Sequence, residues 1–418
     1  MAEKLQAPKG TFDVLPEAAR RRQDLLRASE QLFECAGYGP FETPVFEPTE
    51  LFARGVGETT DIVQKEMFTF YDQGGRSLTL RPEGTAGICR AYIEHGMHKL
   101  PQPVKLWYWG SFFRHETPQA GRFRQFTQVG AEAIGSDDPS LDAEAILLLA
   151  ELLEAAGAKD LRLRLSSLGS SDVRAAYADE LRAYLRECEA ELSDEVRRRL
   201  ESNPLRAFDS DHAGTQAALA GAPTLLERLA PDDAEHFSSV RELLDDAELV
   251  YELDPTLVRG LDYYTRTVFE FESAALGAQS GVGGGGRYDG LVEQLGGPAT
   301  AAVGWAAGIE RILLASETSS DQAAPAVFVA LDESGDRREA FRLLRELRSE
   351  GLAAELEQAG RSLKGQLKQA DRLGARQVVI VERERFVARD MQSGDQQAVD
   401  TRAEAVRLAL ALGAESGR

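Results

Sequence analysis

The sequence predicts an α+β chain: an antiparallel sheet flanked by helices, interrupted by a helical insertion and followed by a small α/β domain. Three observations carry this. First, two apolar–polar alternating runs in Leu106 to Gly135 flank Thr117-Pro118-Gln119-Ala120-Gly121, the pattern of a β-hairpin with a loop of a few residues. Second, Ser171 to about Val250 reads as helix broken at Asn203-Pro204, Gly221-Ala222-Pro223 and Pro231, inside an otherwise sheet-like chain. Third, strands and helices alternate beyond the polar linker Glu317 to Pro325. The expected domains are residues 1–320, with the insertion at about 171–250, and residues 325–418.

Pro16 to Cys35 has helical spacing of Leu25, Leu26, Leu32 and Phe33, and Gly37 ends it. FETPVFEPTELF follows, where two prolines suit an edge strand. Phe68 to Tyr71 and Leu78 to Arg81 form a strand–turn–strand that runs into Pro82-Glu83-Gly84-Thr85 and a helix from Ala86 to Glu94. Asp142 to Gly157 is a helix and Leu161 to Leu165 a strand. Leu257 to Phe271 alternates like a strand. Gly281 to Gly286 matches GxGxxG, but no βαβ unit surrounds it, so dinucleotide binding is rejected. These glycines instead let backbone approach backbone or a ligand closely. Gly304 to Leu314 reads as helix. In the tail, strands at Val327 to Leu331, near Ala353 and at Val378 to Glu382 alternate with helices at Arg337 to Glu350 and Ser362 to Leu373.

Hydrophobic content of 43% and charged content of 28% suit a globular protein. No apolar run approaches a membrane span, and MAEKLQAPKGTFD has no apolar signal core. Three separated cysteines, Cys35, Cys89 and Cys188, argue for a reducing compartment, hence a cytoplasmic protein. His95 and His98 lack neighbouring ligands, so no protein-only metal motif is expected. The net charge of −21 taken alone disfavours a nucleic-acid partner. Acidic residues concentrate in the insertion, however, while the tail from Pro325 is balanced. The global number therefore does not exclude a local anion site.

Side chains two apart share a strand face. In the hairpin, Arg114 and Glu116 point one way on the first strand. Phe126, Gln128, Gly130 and Glu132 share a face of the second. One face thus carries a guanidinium, a ring, an amide and carboxylates, with a glycine that leaves room. Glu83 stands at a strand-to-helix corner, where polar groups often face a pocket.

Taken together, these stretches resemble the histidyl-tRNA synthetase family of class II aminoacyl-tRNA synthetases over nearly the whole chain. KGTFDVLP and ETPVFEPTELF resemble the start of the catalytic domain and the dimer-forming first motif. LTLRPEGT, FFRHETPQAGRFRQFTQVGAE and VGWAAGIERILL resemble the amino-acid loop and the second and third class II motifs. VRGLDYYTRTVFEF and GGGGRYDGLV resemble the two histidine-specific motifs, and GRSLKGQLKQADRLGARQVVIV the anticodon-binding domain. The resemblance implies a class II synthetase-like sheet and an ATP-dependent ligase that forms histidyl-adenylate and transfers histidine to tRNA(His). ATP is then a substrate, Mg2+ its companion and the homodimer the expected assembly. Glu83, Gly84, Thr85, Gln128, Glu132, Tyr263 and Tyr264 line the histidine pocket by this resemblance. Arg114 and Arg259 are the catalytic pair, reaching histidine and the α-phosphate. Phe126 stacks on adenine, Glu116 lies near its amino group, and Arg311 holds the γ-phosphate. Gln119 and Arg122 contact the tRNA acceptor end. The loop departs from relatives at Thr117, where Arg is usual, and at Ala120, where a basic residue is common. The alternative reading is a non-catalytic regulatory paralogue that acts on the ATP phosphoribosyltransferase of histidine biosynthesis. A ligase adenylating another small acid leaves the tail without a purpose.

Overall fold

The computed structural model describes residues 4–57, 60–277, 280–317 and 324–415, with backbone alone for 412–415. The chain divides into two compact units, Met1–Ser320 and Asp321–Arg418. Most of the linker Glu317 to Pro325 lies outside the described residues.

The first unit opens with helix α1 (Pro16–Cys35), started by a proline whose missing N–H no helical bond needs. Its Leu25 and Phe33 enter the core, and Gly37 leaves the helix at φ 75°. Next come β1 (Gly39–Pro40), β2 (Phe46–Pro48), α2 (Thr49–Val56), β3 (Phe68–Tyr71), β4 (Ser77–Leu80) and α3 (Thr85–Glu94). β2, β4 and β3 form a small antiparallel sheet with β2 at its edge. The hairpin is β5 (Val104–Phe113) and β6 (Gln125–Ile134), followed by α4 (Pro139–Ala155) and β7 (Leu161–Ser167). The acidic block folds as α5 (Ser171–Glu187), α6 (Asp194–Arg199), α7 (Ala213–Leu219) and α8 (Pro231–Asp246). β8 (Glu252–Leu253), β9 (Thr265–Ser273), β10 (Gly281–Arg287), α9 (Leu291–Gln294), β11 (Ala302–Gly308) and α10 (Ile309–Ala315) complete the unit.

Eight strands make the main sheet in the order β1-β5-β6-β11-β10-β9-β7-β8. Neighbours from β5 through β7 are antiparallel, and the two short edge strands run parallel to theirs. One core, including Phe33, Trp107, Leu149, Phe269 and Trp305, packs between the sheet and α1, α4 and α8. Across β10 a fully buried Arg287 donates to Asp142 of α4 at 2.5 Å and to the Ser136 and Asp138 carbonyls. Such a charge is tolerable only when its donors are satisfied in this way.

Two expectations need correction. Gly304 to Gly308 is strand, and the helix begins only at Ile309. A short unbroken apolar run in a central strand is not separated from helix by periodicity alone. Residues 257–264 are loop rather than strand, and β9 starts at Thr265. The glycine run is a central strand as close-packed as its composition demands. A Cβ at Gly285 would lie 2.0 Å from the Gly304 carbonyl oxygen, and one at Gly283 2.5 Å from the Ala307 Cβ.

The second unit has a five-stranded sheet in the order β13-β12-β14-β15-β16. It is built from β12 (Val327–Leu331), α11 (Arg337–Ser349), β13 (Ala354–Leu356), α12 (Leu363–Arg372), β14 (Gln377–Val381), β15 (Phe386–Asp390), β16 (Gln396–Val399) and α13 (Arg402–Glu415). The first three strands in space are parallel and the last two antiparallel.

Candidate active site

β5 and β6 pair without interruption from Val104↔Ile134 to Phe113↔Gln125. The connecting loop therefore spans residues 114–124, longer than the few-residue turn expected. Its tip closes by reciprocal bonds between Gln119 and Arg122, at 3.2 and 2.9 Å, around Gly121 at φ 72°. Its base is pinned: Arg114 N–H donates to the Arg124 carbonyl (3.0 Å), and Arg124 N–H to that of Gly10 (2.7 Å). Phe12 covers Phe123 at 4.4 Å between centroids.

Below this loop the sheet face opens into a cleft of about 520 Å³. Arg114, Glu116, Phe126, Gln128, Arg259 and Arg311 all line it, so residues far apart in sequence meet there. Arg114 lies 5.4 Å over the Phe126 ring and donates to the Pro82 carbonyl at 2.9 Å. That places it 3.9 Å from Glu116, which also takes Arg122 at 3.4 Å. Arg311 donates to the Gly281 carbonyl. Burial lowers the pKa of the Arg311 guanidinium, and nearby Arg122 adds to the effect. Arg259 pairs with Glu270 of β9 at 2.9 Å, not with Asp262 as its place in the loop suggests. Burial disfavours its charge, but Glu270, Tyr264 and Tyr263 outweigh that and raise its pKa. Among the described residues five guanidiniums line the cleft, those of Arg114, Arg122, Arg164, Arg259 and Arg311, with five carboxylates among them and the half-buried Phe126 ring beside Arg114. Guanidiniums on fixed supports suit anionic oxygens.

Behind the cleft lies a second, closed group. Glu83 is 4% exposed, and its carboxylate accepts from Thr85 N–H (2.7 Å) and Ala86 N–H (3.1 Å), capping α3. Gly84 starts that helix where a Cβ would strike the Tyr108 ring at 2.7 Å. Glu132, 1% exposed, accepts from the Thr85 hydroxyl at 2.7 Å and the Tyr288 hydroxyl at 2.5 Å. Burial pushes its pKa up to about 8 despite those two donors. Gly304 leaves it space, since a Cβ there would sit 1.7 Å from the Glu132 Oε2. Tyr263 and Tyr264, 7% and 5% exposed, contact each other at 4.8 Å with their rings tilted by 54°, and Tyr263 meets Tyr288 edge-on at 5.7 Å. Gly130 makes room for Tyr108, whose ring a Cβ would approach to 2.3 Å.

Sequence reasoning brings Glu83, Gly84, Thr85, Glu132, Tyr263 and Tyr264 to this closed group. It sets the phosphate-type residues in the cleft; Gln128, expected with the histidine pocket, lines the cleft instead. Gln119 and Arg122 stand exposed at the loop tip, apart from the closed group, and Arg122 also lines the rim of the cleft. Tyr288 and Glu270 went unseen. Tyr288 directly follows the glycine strand, a position whose chemistry shows only once Glu132 faces it. Glu270 looked like one acid in a strand alternation.

Comparison with known proteins gives a consistent result. The family profile described as histidyl-tRNA synthetase matches residues 10–312. A histidine–tRNA ligase of Desulforamulus reducens is 48% identical over 404 residues, 94% of this chain and 96% of that one. One from Rubrobacter xylanophilus is 48% identical over 407 residues, with the same shares. The solved structure of apo histidyl-tRNA synthetase from S. aureus superposes with a TM-score of 0.80 at 34% identity, covering 97% of this chain and 99% of that one. A Bacillus halodurans structure titled as an ATP phosphoribosyltransferase regulatory subunit/histidyl-tRNA synthetase reaches 0.68 at 25% identity, covering 91% and 99%.

Proposed function

We propose, from the premise that this chain belongs to the histidyl-tRNA synthetase family, that it activates histidine with ATP and transfers it to the 3′ end of tRNA(His) using the cleft and the closed group behind it. The observation that carries this reading is the junction itself. An arginine-bearing cleft adjoins a buried set of hydroxyls and carboxylates: Arg114 is held by the Pro82 carbonyl next to Glu83, and one loop carries both Arg259 and Tyr264.

In the first step the histidine carboxylate attacks the α-phosphorus and pyrophosphate leaves. Negative charge grows on the α-phosphoryl oxygens, and Arg114 and Arg259 face that charge from different elements. Their supports, the Pro82 carbonyl and Glu270, fix both before the reaction, so little reorganisation is needed. Phe126 takes the adenine ring, with Glu116 near its amino group, and Arg311 takes the γ-phosphate. In the closed group the corner carboxylate Glu83, which the resemblance implies for the imidazole, already accepts from the Thr85 and Ala86 N–H groups, so Glu132 joins Tyr264 in reading the imidazole. A substrate lacking those partners leaves buried polar atoms unpaired, which makes rejection steep.

Mg2+ comes with the triphosphate and neutralises phosphate charge. Among the described residues no group of three or more His, Cys, Asp or Glu side chains could hold a metal ion alone. Glu270 and Glu272, lining the cleft from β9, offer the hard oxygen donors that suit an ion shared with phosphates. Residues 325–418 serve as the anticodon-binding domain, and Gln119 and Arg122 meet the acceptor end. The protein works as a homodimer in the cytoplasm. Exposed Phe46, Phe70 and Tyr71 on the small sheet give a second copy apolar surface to cover. Among the described residues no helix is long and apolar enough to cross a membrane.

Histidine-dependent ATP–pyrophosphate exchange and charging of tRNA(His) test the reading together. Well-folded protein that lacks exchange with Mg2+ and ATP present would favour the regulatory paralogue.

A further inference from the structure

The loop 257–264, which carries Arg259, Tyr263 and Tyr264, has no regular secondary structure of its own. On one side it borders a cavity of about 320 Å³ between itself, α5 and residues 202–206 of the insertion. Close packing therefore does not fix that side. Polar ties from the helical insertion do. Arg174, half-buried in the first turn of α5, sends its Nη1 to the carbonyls of Asp262 (2.9 Å) and Tyr264, which bracket Tyr263. Arg206 donates to the Gly260 carbonyl at 3.0 Å, and Asn203 to the Asp262 carboxylate at 3.2 Å. Just past the loop, Arg266 is held at φ 45°, a left-handed conformation unusual for a side chain of this size. Its N–H donates to the Gly169 carbonyl and its own carbonyl accepts from Leu168, each at 2.7 Å. Asp233 of α8 accepts from both Arg266 Nε (3.0 Å) and Ser170 N–H (2.8 Å). Both ends of the tyrosine pair are thus set by insertion residues that do not line the cleft.

We infer that Arg174 is a positioning residue for histidine recognition: by bonding the two carbonyls on either side of Tyr263 it fixes how Tyr263 and Tyr264 face the substrate. This rests on the reading of the tyrosine pair as part of the histidine site. Arginine suits the task because its charge is delocalised and weakly hydrated, so it can sit half-buried on main-chain carbonyls. Burial does depress its pKa, with Asp262 opposing the shift.

The test uses the full chain in pyrophosphate exchange, with histidine and ATP varied in turn and melting temperature recorded. Arg174→Ala is expected to raise the histidine KM about tenfold, the weight of one or two charged hydrogen bonds, with the ATP KM within about twofold. Arg174→Lys keeps the charge but not the planar group, and should recover about half of that change on a logarithmic scale. An unchanged histidine KM in Ala overturns the proposal. So does an equal rise in both KM values alongside a fallen melting temperature, which marks a merely structural role. Where Ala fails to fold, Lys decides: a histidine-only effect supports the proposal and wild-type kinetics overturn it. Tyr264→Phe, run in parallel, separates the two ideas. A raised histidine KM there with none in Arg174→Lys or Ala sinks the positioning role alone. No change in Tyr264→Phe sinks the site reading and the positioning role with it.

Discussion

Arg259 and Tyr264 share one loop yet belong to regions of opposite character. The Arg259 side faces a wide polar cleft, where its side chain keeps 17% exposure and an ion-pair partner. Tyr264 turns into a group where hydroxyls and carboxylates are almost wholly shielded. In the proposed function the cleft admits a large, highly charged nucleotide and releases pyrophosphate, which suits its openness and its supported cations. The closed group there tells one small side chain from others, which suits its burial, since each mismatch leaves a buried polar atom unpaired. Strength in the first comes from charge that develops during reaction. In the second it comes from hydrogen bonds already required in the ground state.

This contrast breaks most easily at Arg259. Its loss should fall on kcat of exchange by about 10²–10³, as for removal of one preorganised donor. Transfer from preformed adenylate should suffer less, because the phosphate is by then leaving. Arg259→Lys should recover only part of the rate. The pair with Glu270 offers the competing account, that Arg259 merely anchors β9. An Ala variant within about threefold of wild type, far below the loss of a preorganised donor, would establish that account.

Glu132 tests the other side. Glu132→Gln keeps shape but replaces a carboxyl oxygen that can accept by an NH2 that can only donate, and should raise the histidine KM about 10–100-fold while leaving the ATP KM near wild type. It should also change the pH dependence of stability. In the folded chain the carboxyl titrates at about 8 against an ordinary 4.5, so the native state holds a proton that the unfolded state loses. That contribution is complete below about pH 4.5, declines as pH rises to about 8 and is flat beyond. Denaturation followed between these values should show a shallower decline in Gln than in wild type. Equal slopes would mean that Glu132 titrates normally.

The open cleft was more legible in sequence than the closed group. Arg114, Glu116 and Phe126 lie in or beside one hairpin, so short sequence separation keeps them together, although Arg114 and Glu116 stand in the loop beyond β5 and not on its face as the alternation predicts. The fold class followed from the same signals: a long alternating hairpin, an acidic helical block and a tail of alternating elements. Where periodicity failed, tertiary structure was deciding. Gly304 to Gly308 became strand because it pairs with a neighbour on each edge, β6 and β10, and insertion side chains bind three carbonyls of the loop 257–264. The Tyr288–Glu132 bond joins β10 to β6 across an intervening strand. No local pattern encodes such a meeting. The family resemblance supplied the tyrosine pair that spacing could not.

A smaller effect should come from Phe126. Its ring already carries Arg114 at 5.4 Å and has an edge in the cleft. Phe126→Leu keeps apolar volume but removes the aromatic face, and should raise the ATP KM about two- to tenfold with the histidine KM little moved. A histidine effect of the same size would mean that the wall between the two regions had shifted, and that they are not separable.

The smallest effect expected on adenylation belongs to Arg122, and it tests whether the loop tip is a third region. Arg122 is exposed, bridges back to Gln119 and lies 3.4 Å from Glu116. With Arg114 assigned to the cleft, Arg122 and the more deeply placed Arg124 are the arginines left in this loop for an acceptor end. If Arg122 meets tRNA phosphate, Arg122→Ala should raise the tRNA KM about threefold at low salt and flatten its salt dependence, since one counterion-releasing contact is lost. Exchange should stay within about twofold, because an exposed ion pair such as Arg122–Glu116 contributes roughly 0–1 kcal/mol. The rival account is that Arg122 holds Glu116 in place for adenine. It predicts the reverse pattern: a raised ATP KM in exchange, an unchanged salt slope in charging, and a Glu116→Gln variant that copies the effect. Measuring both activities across a salt series separates the two, because only a phosphate contact ties the loss to ionic strength.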